Sequence, residues 1–344
     1  MGRLTTTYLG LELRSPLVAS ASPLTGKPDV AARMQEHGAA AVVLPSLFEE
    51  EIVRHDTDLL LSLEQGSHHF AEALDYFPDL PRFETSAERY LRLIEESKAR
   101  LEVPLIASLN AFSTGGWEKY ARLLEEAGAD AIELNLYRVA ADPEKSCADV
   151  EAEDLAVVAA VRHAVGVPLA VKLAPYYTAL ANFVRNVVRS GADGLVLMNR
   201  FYQPDVDPHA HEVVSRLELS HPWELRLPLR WMAILRPQVA GRASLALTTG
   251  IASGVDAVKA LMAGADVCMM TSAVLREGAA HFATVERELL DWMDEHEYET
   301  VAQVRGSLSY TAADDPAAYE RANYLRVLHS WTTPSRLKPG APKG

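Results

Sequence analysis

One pattern of small and apolar positions recurs four times along the chain. A glycine, a small residue and then a short apolar run occupy residues 37–44, 127–134, 190–197 and 263–270. A glycine there fits the left-handed cap that ends a helix. An apolar run without alternation fits a parallel strand covered on both faces. Four more short apolar runs, at 17–20, 104–108, 168–173 and 244–248, lie between these repeats. Amphipathic stretches at 86–100, 117–127 and 154–164 separate most of the candidate strands. Alternating strand and helix implies parallel pairing. Eight such units in about 250 residues predict an α/β fold of the (β/α)8 TIM barrel type. The rival is a doubly wound open sheet, but no GxGxxG follows the first strand, as a dinucleotide-binding version would require.

Three stretches break the pattern. Residues 48–83, after the second strand, are long, polar and aromatic. Residues 199–231, after the sixth, are rich in His, Pro and Asp. Residues 310–344 carry one expected helix, at 316–329, and then a Pro- and Lys-bearing end. The expected organisation is a barrel over residues 1–310 and a C-terminal helix and tail over 311–344. Long insertions in barrels usually shape the mouth of the active site.

Composition narrows the partners. The chain has 344 residues, 49% of them hydrophobic, enough for one large core. Forty-seven acidic against 33 basic side chains leave a formal net charge of −14. That balance disfavours nucleic acid and anionic membranes as partners. Two cysteines, Cys147 and Cys268, form no CxxC pair, so neither a zinc ribbon nor a disulfide framework is indicated. Residues 1–9 have no apolar core of a signal peptide, and no apolar run reaches the ~18 residues of a membrane span. The expected location is the cytoplasm. Asp205, Asp207, His209 and His211 alternate as metal ligands could on an extended segment. Ordinary loop polarity explains them as well, and no metal is assigned.

Barrel sites form at the carboxyl ends of the strands. Lys172 is the sharpest signal there, because it interrupts the apolar fifth strand. A strand lysine at that point faces the barrel interior or its rim. It either stabilises negative charge on a bound ring or braces a buried carboxylate such as Glu133. Thr249-Gly250 and Thr271-Ser272 follow the last two strands, where barrel phosphate sites commonly lie. Glycine there lets a phosphate approach backbone N–H groups and hydroxyls, although ordinary turn chemistry gives the same residues. Ser20, Ser22 and Ser46 stand where a nucleophile could, with no assignable triad partner.

Read together, the strand ends resemble the dihydroorotate dehydrogenase family, in its soluble class. The resemblance spans about residues 9–309. It is carried by Leu9-Gly10-Leu11 with Ser15-Pro16-Leu17-Val18, by Glu133-Leu134-Asn135-Leu136, and by Val171-Lys172-Leu173-Ala174-Pro175-Tyr176. Thr249-Gly250-Ile251, Gly264-Ala265-Asp266 and Ala273 through Gly278 complete it. The resemblance implies an FMN-dependent oxidoreductase acting on CH–CH groups, of a kind used in pyrimidine biosynthesis. It implies FMN at the top of the barrel, with Lys172 at the pyrimidine end of the flavin. Thr249, Gly250, Thr271 and Ser272 would hold its phosphate, and Ala19, Ser20, Ala21 and Ser22 would run beside it. Ser46, Asn135 and Asn199 complete the expected cofactor set. A homodimer is the expected assembly.

Four departures accompany the resemblance. Where the family has a serine and then its catalytic cysteine, this chain has Tyr137 and Arg138. The second-strand lysine is Pro45. The substrate loop is not visible near residues 76–83, and residues 224–230 replace a glycine pair. A guanidinium cannot act as a base, so Arg138 is expected to grip a small anionic substrate other than dihydroorotate. A rim salt bridge, with Glu133 or Asp142, is the plainer role for it. The other functional readings are a flavin-free barrel acting as a binding or regulatory subunit, and a lyase forming a Schiff base through Lys172.

Overall fold

The computed structural model describes residues 2–48, 85–110, 117–200 and 203–331. The expected insertion at 48–83 lies outside the described residues beyond Phe48, as does the end of the tail. Eight parallel strands close into a barrel: β1 (Leu17–Ala19), β2 (Val42–Phe48), β3 (Leu105–Asn110), β4 (Ala131–Leu136), β5 (Leu169–Leu173), β6 (Gly194–Leu197), β7 (Ser244–Thr248) and β8 (Val267–Met270). They pair in chain order, and β8 closes on β1. Helices cover the outside: α1 (Pro28–Glu36), α2 (Ser86–Lys98), α3 (Trp117–Glu126), α4 (Cys147–Ala164), α5 (Leu180–Arg189), α6 (Arg226–Val239), α7 (Gly254–Ala263), α8 (Ser272–Glu277) and α9 (His281–Glu295). The fold is the expected α/β barrel.

Strand parity divides the core in two. Leu17, Leu134, Val171 and Leu247 join the cluster between barrel and helices. Val18, Val43, Ile106, Ala170, Val196 and Val267 form a separate cluster that fills the barrel. An antiparallel hairpin, Thr6–Tyr8 with Leu11–Leu13, adds Tyr8, Leu9 and Leu13 to that inner cluster. Leu9 lies so close to Gly194 that a Cβ there would stand 2.4 Å from Leu9 Cδ2. The hairpin therefore plugs the amino-terminal end of the barrel, and the opposite end is left for chemistry.

The recurrent glycines Gly38, Gly128, Gly191 and Gly264 all have positive φ, as the helix-ending role requires. Three of them lead to an aspartate with a repeated job. Asp130, Asp193 and Asp266 accept the backbone N–H of Leu105, Leu169 and Leu245, the residues beginning the preceding strand or next to its start. Each also binds a cation from the helix that precedes that strand: Lys98, Arg162 and Arg236 in turn. One carboxylate thus ties strand, helix and next strand at the base of the unit. Arg305 adds a second cation to Asp266.

Three local expectations need correction. Helix α4 begins seven residues before position 154, because Ser146 and Asp149 form a reciprocal capping box. The insertion after β6 ends earlier than residue 231. It makes a hairpin, Asp205–Asp207 with Glu212–Val214, and a 3-10 turn at Pro222–Leu225, and α6 starts at Arg226. Its Pro228 sits in the first turn of α6, where a missing N–H costs nothing. The single tail helix is instead a 3-10 turn, Pro316–Tyr319, and a short helix, Asn323–His329. Extended backbone at Glu320 separates them, with Tyr319 donating to the Leu308 carbonyl.

Candidate functional site

The carboxyl ends of the strands enclose a cavity of about 330 Å³. Inward parity at β4 and β5 brings Asn135 and Lys172 to its floor, with Glu133 buried beneath them. Asn110, Asn135 and Lys172 stand side by side in the register of β3, β4 and β5. The Asn199 carboxamide, just past β6, donates to Asn135 Oδ1 at 2.8 Å. Lys172 lines the cavity and donates from Nζ to Glu133 Oε1 at 3.2 Å. Both readings of Lys172 are therefore met at once: it faces the cavity and it is paired. Glu133 is 1% exposed, and its Oε2 has no hydrogen-bond partner among the described residues.

The other end of the cavity lies against β7 and β8. Thr249 and Gly250 follow β7, both with positive φ, and Thr249 Oγ1 donates to the Met198 carbonyl at 3.1 Å. A Cβ on Gly250 would stand 2.6 Å from the Leu225 backbone nitrogen, so packing as well as φ demands glycine. Thr271 and Ser272 open α8. The Ser272 hydroxyl already accepts from the N–H and hydroxyl of Ser220, while Arg276 holds the carbonyls of Leu219 and Ser220. Residues 217–220 thus pass over this end as a strap.

Eleven of the expected cofactor residues line this one cavity: Ser20, Ala21, Ser22, Ser46, Asn135, Lys172, Asn199, Thr249, Gly250, Thr271 and Ser272. The Ser46 hydroxyl shares a 2.8 Å hydrogen bond with that of Ser108. The Ser22 hydroxyl accepts the N–H of Thr25, which begins the turn into α1.

Two expected residues are elsewhere. Ala19 shares the outward parity of Leu17 and packs with the helical layer, 2% exposed. Arg138 does not line the cavity. Its guanidinium is drawn to Glu153 and to Asp154 Oδ1, the latter at 3.3 Å, on α4. Asp154 also accepts from Tyr177, whose ring stacks on Phe183 at 4.0 Å between centroids. Burial pushes the Asp154 carboxyl up, and Arg138 opposes that shift. These pairs make Arg138 a brace for the loop after β4.

The cavity also contains residues outside the expected cofactor set. Asn110 was reachable from sequence, being two positions beyond the inward-facing Ser108 on a strand of period two. Tyr137 lines the cavity where Arg138 was expected to. Arg200 lines the rim and pairs with Glu224 at 3.3 Å. Pro45, which lacks an N–H, coincides with a register shift in β2 between Val43 and Ser46, and the Tyr90 hydroxyl satisfies its carbonyl at 2.7 Å. Asp207 turns back to accept the N–H groups of His209 and Ala210. Among the described residues no three metal-ligating side chains cluster.

The residues fit FMN by the chemistry of their donors. Lys172 and three carboxamides offer a charged, hydrogen-bonding edge for a flat heteroaromatic ring. The loops after β7 and β8 offer hydroxyls and backbone for a phosphate. A parallel barrel with this polar cavity at its carboxyl end has the architecture of a barrel enzyme for small molecules. Comparison with known proteins narrows it further. The family profile described as dihydroorotate dehydrogenase matches residues 83–293. The catalytic subunit of dihydroorotate dehydrogenase B (NAD(+)) of Thermoplasma volcanium is 26% identical over 320 residues, covering 89% of this chain and 98% of that protein. The chloroplastic dihydropyrimidine dehydrogenase (NADP(+)) of Arabidopsis thaliana is 24% identical over 333 residues, covering 89% and 77%. The corresponding subunit from Methanosarcina acetivorans is 27% identical over 277 residues, covering 77% and 83%. This chain belongs to the dihydroorotate dehydrogenase family, and is an oxidoreductase of that type.

Proposed function

We propose that the chain binds FMN in the barrel-mouth cavity and oxidises or reduces a carbon–carbon bond of a small polar substrate. The carrying observation is the row Asn110, Asn135 and Lys172 at the cavity floor, with Asn199 bonded to Asn135. A flavin bound there supplies the two-electron acceptor or donor. Lys172 offers it a cation, and the carboxamides orient its polar edge. Thr249, Gly250, Thr271 and Ser272 hold the phosphate. The apolar walls exclude water and strengthen each of these contacts. With Arg138 committed to α4, an anionic group on the substrate is assigned to Arg200 at the rim.

Purified protein stripped of cofactor tests this reading. FMN that binds the native state alone raises Tm through linkage, by an amount that grows with its concentration. A protein without a flavin absorbance band and without a melting shift at saturating FMN refutes it. Borohydride trapping of a carbonyl substrate on Lys172 would favour the lyase reading instead, but the ion pair with Glu133 stabilises the protonated amine, which is not the nucleophile.

A further inference from the structure

Beneath the floor of the cavity lies a charge that the proposed function does not use. Glu133 is 1% exposed, lies on β4 beneath Lys172, and meets that lysine through Oε1 at 3.2 Å. Its second oxygen is buried without a hydrogen-bond partner among the described residues. As a structural brace this is a poor arrangement, since a half-satisfied buried carboxylate costs free energy that an apolar side chain would not. The charged or titratable groups near it come from three elements. Lys172 is on β5, Tyr8 comes from the hairpin that plugs the barrel, and Tyr90 comes from α2. Tyr8 and Tyr90 are both buried and both sense the Glu133 charge, which adds to burial in pushing their phenols up. Neither neutralises it. The only cation paired with Glu133 among the described residues is Lys172.

We infer that Glu133 is a positioning residue for Lys172: it holds the ammonium at the cavity floor and offsets part of its charge, so setting how strongly the floor favours an anionic ring. The two groups act as one nearly neutral unit rather than as a bare cation. The field at the cavity is then the difference between the ammonium and the carboxylate behind it. A neutral side chain of the same shape at position 133 exposes the full positive charge. The redox half of this inference rests on the FMN reading; the holding half does not.

Two measurements on the full-length protein separate them. In the first, cofactor-free protein is treated with a small amine-acylating reagent, and Lys172 labelling is timed by peptide mass spectrometry. Losing an opposite charge at hydrogen-bond distance enlarges the small neutral fraction of an amine by about tenfold or more while leaving most of it charged. Glu133→Gln should therefore label at Lys172 at least about tenfold faster than wild type, while Lys98, paired with Asp130, stays at its own rate. Glu133→Asp, which keeps the charge but withdraws it by one methylene, should fall between. In the second, the potential of bound FMN is measured against reference dyes. Glu133→Gln should raise it by the equivalent of about tenfold tighter relative binding of the reduced form, or about 30 mV for a two-electron couple. Lys172→Met should lower it.

Unchanged Lys172 labelling in Glu133→Gln overturns the inference. So does an unchanged or lowered potential in that variant. If Glu133→Gln does not fold, a wild-type labelling rate in Glu133→Asp overturns it instead. Failure of the wild type to bind FMN refutes the flavin reading, while the labelling experiment still decides whether Glu133 holds Lys172.

Discussion

At the scale of single residues, Arg138 is held by its own acidic partners. The resemblance of the strand ends sets it where the family's catalytic cysteine is expected, and its side chain pairs with two carboxylates on α4. One of them, Asp154, has a side chain only 4% exposed, so its ionised form depends on compensation. Burial raises its carboxyl above the ordinary aspartate value, and Arg138 and the Tyr177 hydroxyl pull it back. A raised folded-state value means that the native protein holds this proton more tightly than the unfolded chain. The resulting stability is present at acid pH and is lost as pH rises through the folded-state value. Without Arg138 that loss becomes larger and extends to higher pH. Arg138→Met is therefore expected to match wild type at about pH 4 and to lose about 3 kcal/mol by about pH 7.5, as when a buried ion pair loses one partner. Urea midpoints at both pH values check it. An equal deficit at both would mean that Arg138 acts by packing rather than by charge.

At the scale of elements, the three Gly-Ala-Asp repeats define the base of the barrel. Each aspartate joins a helix cation to the N–H at the start of a strand, but the three are not equally buried. The Asp266 side chain is 8% exposed and takes two arginines, against 30% for Asp130 and 47% for Asp193. Desolvated carboxylates lose most when a repeat is broken, because their cations are then stranded. Asp266→Ala is expected to cost about 3–5 kcal/mol. Asp130→Ala should cost about 1 kcal/mol, as for a partly exposed pair, and Asp193→Ala least of all. Chemical denaturation of the three variants gives the order, and equal losses would refute a ladder graded by burial. The glycine and apolar signals of the four repeats, with the four apolar runs between them, made all eight strands readable from sequence. The aspartates did not declare their role, since nothing local says which helix cation will reach them. Strand parity was equally hidden: β1 is apolar on both faces, so Ala19 and Ser20 look alike until the barrel closes and sends one outward and one inward. Tyr137 and Arg138 were ambiguous for the same reason, because one step along extended backbone reverses a side chain. Lys172 was legible because a lysine in an apolar strand has few places to go, but its pairing with Glu133 became definite only with the register of β4 and β5.

At the scale of the whole molecule, the proposed function combines the expected cofactor floor with a substrate other than dihydroorotate. Removing hydrogen from dihydroorotate requires a proton to leave carbon as hydride reaches the flavin. A thiol suits this, because its ordinary pKa of about 8.5 leaves the thiolate within reach at neutral pH. Neither cysteine can take over: Cys147 is exposed at the start of α4, and Cys268 is buried in β8 with its thiol pushed up by burial. Arg138 lies outside the cavity and has no lone pair to accept a proton. The cavity does include Tyr137, a phenol, and Glu218, an exposed carboxylate on the strap. Phenols, which ordinarily titrate at about pH 10, hold their proton at neutral pH, and carboxylates are about four pKa units weaker as bases than thiols. Flavin-loaded protein should therefore show little or no reduction when mixed anaerobically with dihydroorotate. Stopped-flow absorbance at the flavin band measures it directly. Bleaching at about 1 s⁻¹ or faster, the low end of ordinary enzyme turnover, would mean that another group serves as the base. In that event Tyr137→Phe and Glu218→Gln identify it: the variant that abolishes bleaching while retaining bound flavin carries the proton.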